Sequence, residues 1–150
     1  MSKSFKDQIS NKLVRMIPQL NEVIGNIDSA EESWTSYYSQ NNPQDMYLRD
    51  MFQRINEKLG MAIWLMFQAF GEVAEEGILR KRPDGRYGFG STYFTTGSKV
   101  EYLDHGDQEV PARWVYSHVQ HNGKEYYISD NASLSLDGLL VRVKRFAAWG

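Results

Sequence analysis

The chain has 150 residues, 41% of them hydrophobic and 13% aromatic, enough apolar surface for one compact domain or two small subdomains and too much for a disordered chain. It contains no cysteine, which excludes disulfides, thiolate nucleophiles, iron–sulfur clusters and cysteine-ligated zinc. A formal net charge of −2 argues against a general polyelectrolyte attraction to nucleic acid and against the extreme acidity of a DNA mimic.

From Phe5 to Ile27 the residues Phe5, Ile9, Leu13, Met16, Ile17, Leu20, Val23, Ile24 and Ile27 recur at three- and four-residue steps, the period of an amphipathic helix. Pro18 removes a backbone hydrogen bond inside that pattern and predicts a kink or two abutting helices. Ser29-Ala30-Glu31-Glu32 has the form of a capping box and predicts the start of a short helix through Trp34, Tyr37 and Tyr38. Asn42 before Pro43 is an N-cap and first-turn pair for a third helix. Its apolar face runs from Met46 to Phe70 and widens after Gly60, which predicts a helix buried on several sides or part of an oligomer contact.

Beyond Gly77 the helical period gives way to alternation. Ile78 to Arg82 reads as a strand, Pro83-Asp84-Gly85 as a turn and Arg86 to Phe89 as the return strand. A further strand is expected over Lys99 to Leu103. Arg113 to His121 and Lys124 to Ile128 flank Asn122-Gly123, the signature of a tight primed hairpin turn, and Leu139 to Val143 follows the turn residues Asp137-Gly138. The expected fold class is α+β: an N-terminal helical bundle of about three helices (1–76), then a small antiparallel SH3-like barrel or bent sheet (77–150), with the barrel preferred. The N-terminus lacks a signal-peptide pattern and no apolar run approaches the roughly 18 residues of a membrane span, so the expected compartment is the cytoplasm.

Five stretches of the β-half carry a resemblance: Asp84-Gly85-Arg86-Tyr87, Thr96-Gly97-Ser98-Lys99-Val100-Glu101, Arg113-Trp114-Val115, Glu125-Tyr126-Tyr127-Ile128 and Leu136-Asp137-Gly138-Leu139-Leu140-Val141-Arg142-Val143. Together they resemble a small β-domain of unknown function found in proteins of phages, plasmids and conjugative elements of Gram-positive bacteria. The resemblance covers roughly residues 78 to 144. It implies a mobile-element origin and no established catalytic activity, and so it transfers no functional residues. Accessory proteins of such elements often disarm host defences, inhibitors of CRISPR nucleases among them, and that step is an analogy.

His105, His118 and His121 are the only nitrogen metal ligands. His118 and His121 stand three apart on an expected strand and so point to opposite faces, which favours ordinary surface histidines over a metal site. Gly85-Arg86-Tyr87-Gly88-Phe89-Gly90 lacks the following helix that a phosphate loop needs, and turn glycines explain it better. No serine stands in a nucleophile elbow and no carboxylate pair stands out, so no enzyme activity and no cofactor are expected.

Two sets of residues are candidate contacts. Arg80, Arg82 and Arg86 with Arg142, Lys144 and Arg145, near aromatic Tyr87, Phe89 and Tyr93, would suit a single-strand nucleic-acid binder, while simple outward alternation around core residues Leu79, Tyr87, Leu139, Val141 and Val143 is the plainer alternative. Trp34, Tyr37 and Tyr38, on a short helix, would serve as anchors for a protein partner or pack against the third helix. The expectation is a non-catalytic protein that binds a bacterial protein, a CRISPR-associated nuclease in its most concrete form; nucleic-acid binding is the alternative, a metal-dependent enzyme ranks third, and a homodimer is compatible with the apolar girth around Trp64.

Overall fold

The computed structural model describes residues 4–145, which divide after Gly71 into two compact units. The first contains α1 (Phe5–Glu32), α2 (Trp34–Tyr37) and α3 (Pro43–Phe70). The second contains β1 (Glu72–Ile78), β2 (Arg80–Lys81), β3 (Tyr87–Phe89), β4 (Thr92–Phe94), β5 (Lys99–Asp104), β6 (Arg113–His121), β7 (Tyr126–Ile128) and β8 (Leu140–Arg145). The fold class is α+β.

In the helical unit a seam of side chains withdrawn from solvent runs along α1 through Ser10, Leu13, Ile17, Leu20, Ile24, Ile27 and Glu31. Its counterpart on α3 is Asp45, Arg49, Phe52, Asn56, Leu59, Ile63, Met66 and Phe70. The alternating steps of three and four are those of a coiled coil, here formed by one hairpin folding back on itself. Register is fixed by polar pairs: Arg49 makes a forked ion pair to Glu31 with contacts down to 2.6 Å, and the Asn56 amide donates to Asp28 at 2.8 Å.

Three expectations for these helices need correction. Of the kink or two abutting helices expected at Pro18, the second alternative does not hold: the chain passes Pro18 within one continuous helix, with Ile17, fully buried, and Leu20 on either side of it in the seam. Ser29 is interior to α1 and caps nothing: buried Ile27 and the Glu31–Arg49 pair carry the helix on to Glu32, and α2 starts after Ser33 without a side-chain cap. The later half of α3 is not enclosed, since only Ile63 is buried there while Met61 and Leu65 are more than half exposed. The Asn42–Pro43 start stands as expected, with the Asn42 side chain accepting from the Gln44 amide at 2.9 Å.

All strand pairs of the second unit are antiparallel, in a five-stranded sheet of order β1-β8-β5-β6-β7 and a three-stranded sheet of order β2-β3-β4. Among the described residues neither closes into a barrel, so the bent-sheet alternative describes the architecture and the SH3-like barrel does not. The core consists of Leu79, Tyr87, Phe94, Val100, Tyr102, Val119, Ile128, Leu136, Leu139 and Val141, with Val143 packed at its margin.

The strand region begins at Glu72, five residues before the Glu76/Gly77 division expected from composition. β1 escapes detection because it is an exposed edge strand with no buried alternation for a sequence pattern to register. The Asn122-Gly123 loop is not a two-residue primed turn, which needs positive φ at both residues; among the described residues only glycines adopt it, Gly123 at φ 94°. Instead the Asn122 side chain accepts from the Lys124 and Glu125 amides, both at 2.9 Å, and His121 pairs with Tyr126. No helix among the described residues is long and apolar enough to cross a membrane.

Candidate functional site

The turn of the helical hairpin is where aromatic side chains and a rigid support coincide. Arg49, held in plane by Glu31, lays its guanidinium 3.9 Å from the centre of the Trp34 ring, while Tyr38 tilts against Phe52 with ring centres 6.5 Å apart. The Asp45 carboxylate accepts from the Ser39 amide at 2.7 Å and Asn42 caps α3, so the connection from α2 to α3 is pinned from both sides. Two of the three aromatics predicted as contacts, Trp34 and Tyr38, are thus half-buried supports.

Tyr37 is the third, and it is 68% exposed, with Tyr47 in the first turns of α3 at 57%. A shallow groove lined by Glu31, Met46, Arg49, Asp50 and Gln53 lies on the same part of the hairpin. The Arg49 partner holds the Glu31 carboxyl below its ordinary value, and Asp50 pairs with Arg54 at 3.1 Å, so both carboxylates of the groove are answered by arginines. An exposed tyrosine on a fixed backbone is suited to contact with a protein surface.

The six candidate basic residues of the β-unit fall into two groups on different sheets. Arg80, Arg82 and Arg86 belong to the three-stranded sheet and its turn. Arg82 is committed there, donating to the Gly90 and Thr92 carbonyls at 2.6 and 3.0 Å, and a Cβ on Gly88 would overlap both that guanidinium and the Thr92 carbonyl. Arg80 lies 4.0 Å from Asp137. Arg86 spreads over the half-exposed Tyr93 ring at 5.1 Å.

Arg142 and Lys144, on β8, converge instead on buried Glu101 of β5 at 2.6 and 3.1 Å, and Arg142 stacks 4.2 Å from the Trp114 ring. One carboxylate therefore answers two cations in a site withdrawn from water, and neither cation is available for a phosphate. Arg145 ends β8 in an exposed position. Of the nucleic-acid arrangement read from sequence, Arg86 with Tyr93, Arg80 and Arg145 stand outside these commitments.

Among the described residues no three histidine, aspartate or glutamate side chains gather as metal ligands. His118 meets Gln120 at 2.9 Å, His121 accepts from the Gly123 amide and packs edge-on to Tyr126, and His105 is an exposed loop residue. A pocket that sequence reasoning missed is lined by Tyr87, Glu125, Tyr126, Tyr127 and Leu134. Within it the Tyr87 hydroxyl donates to Glu125 at 2.7 Å, which pushes the phenol up to about 12. Only the fold brings residues so far apart in sequence together.

Residues 77–143, a little under half of the chain, match the family described as Domain of unknown function (DUF5348). No curated protein and no solved structure matches the chain. The match is consistent with a small domain of unknown function over the β-half, and it brings no functional residues with it.

Proposed function

We propose that the chain is a non-catalytic binding protein whose helical hairpin docks on a bacterial protein partner through the exposed tyrosine at its turn. The observation that carries this reading is Tyr37, 68% exposed on a segment held in place by the Arg49–Trp34 stack, the Tyr38–Phe52 contact and the Asp45 and Asn42 hydrogen bonds. A preformed aromatic anchor loses little entropy when it inserts into a pocket, which is what makes a small contact strong.

The partner in its concrete form is a CRISPR-associated nuclease of a Gram-positive host, with the chain acting as an inhibitor encoded by a phage or other mobile element and working in the host cytoplasm. That choice rests on analogy with the accessory proteins of such elements.

Affinity capture tests the reading: tagged full-length protein is passed over a host lysate carrying the nuclease, with and without digestion of nucleic acid. The expected result is one defined protein, retained after digestion and lost with Tyr37→Ala. Recovery of nucleic acid alone would overturn it and move the Arg86–Tyr93 pair to first place; binding there would weaken steeply with salt, by a slope of about one per phosphate contact.

A further inference from the structure

Among the described residues, the hairpin seam leaves one flank of the helical unit partly exposed. On α1 the positions just before the seam residues are Ile9, Met16, Val23 and Ala30; on α3 they are Leu48, Ile55, Ala62 and Ala69. In an antiparallel pair these two rows lie on the same side, and none of the eight carries a charge or a hydrogen-bonding side chain. Ile9, Met16 and Val23 are each 44% exposed and Ile55 is 43% exposed. Next to them Leu65, 61% exposed, borders an apolar groove shared with Leu13, Met66 and Phe70.

We infer that this flank is the contact surface for a second copy of the chain, two hairpins closing face to face into a four-helix bundle. The occupant follows from the shape of the face. By the register that sets Glu31 against Arg49, Ile9 stands within two residues of the level of Ala69, Met16 of Ala62, Val23 of Ile55 and Ala30 of Leu48. A large and a small residue therefore share the level everywhere except at Val23 and Ile55, and their order reverses along the hairpin. A twofold axis along the hairpin sets Ile9 over the partner's Ala69 and Met16 over the partner's Ala62, so the surface is complementary to itself.

Size agrees. Helices of 28 residues are about 42 Å long at 1.5 Å per residue, and two of them about 9 Å apart offer on the order of 750 Å2 per copy, close to what a stable association needs. The bundle would also give a second layer to a hairpin in which only Ile17, Ile27 and Ile63 are buried. The surface is distinct from the Tyr37 turn and does not depend on the function proposed for it.

Sedimentation equilibrium of the full chain at tens of micromolar tests the inference. The expected mass is twice the 17.4 kDa of the chain, falling to a single chain in Met16→Glu with the helical circular dichroism signal retained. Should Met16→Glu lose its helices, the milder Val23→Gln is to be read in its place. A wild-type mass of one chain across the range, or a folded flank variant that remains dimeric, would overturn the inference.

Discussion

At Gly88 the backbone lies so close to the Thr92 carbonyl and the Arg82 guanidinium that a methyl group has nowhere to go. Gly88→Ala is expected to lower the melting temperature of the β-unit by several degrees, the response to roughly 1–3 kcal/mol of overpacking. Glu101 is the more severe case. Glu101→Ala removes the buried carboxylate that Arg142 and Lys144 share, and the expected cost of about 3–5 kcal/mol is measurable by urea unfolding. A protonation prediction belongs to Tyr87, raised from 10.0 to about 12 by donation to Glu125 and then by burial. The proton is held more tightly in the folded state, so its contribution is complete below pH 10 and is lost as the pH rises towards 12. Tyr87→Phe should flatten that part of the alkaline decline, while buried Tyr102 and Tyr116, whose hydroxyls are also raised, keep the remainder. The sequence marks Tyr87 as a core residue, but its partner 38 positions away appears only when β3 and the β6–β7 loop meet.

At the scale of elements, α3 and β6 were legible because their signals are local: Asn42–Pro43 starts one, and a run of alternating residues defines the other. β1 and β4 were not, since one is exposed on both faces and the other has three residues. The end of α1 shows a local signal overruled. Ser29 to Glu32 reads as a helix start, yet Ile27 and Glu31 gain more from α3 than a cap would return. Glu31 titrates below its ordinary value because it accepts from Arg49, so its contribution is present above about pH 4.5 and fades as the pH falls through the lowered value. Helix melting followed from pH 6 to pH 3 should show that loss, and Glu31→Gln should remove the pH dependence of this step. The basic edge was only half legible: the spacing of Arg142 and Lys144 puts them on one face of β8, but the buried Glu101 that absorbs both lies on a neighbouring strand.

At the scale of the molecule, the α+β class followed from the change of period near Gly77, while closure of the sheet depends on which strands pair and is not written in the alternation itself. The candidate site was legible to the extent that it is built from neighbours in sequence. Trp34, Tyr37 and Tyr38 could be singled out as a group, and the helix that separates supports from anchor came from the far side of the hairpin. The central claim is that Tyr37 anchors a protein partner and that this partner is a CRISPR-associated nuclease. It is tested most directly by titrating purified full-length protein into purified nuclease while following DNA cleavage. The account predicts stoichiometric binding, suppressed cleavage and at least a tenfold loss of affinity with Tyr37→Ala, the magnitude of an interface anchor. Unchanged cleavage with no binding, or an inhibition that Tyr37→Ala leaves intact, would contradict it.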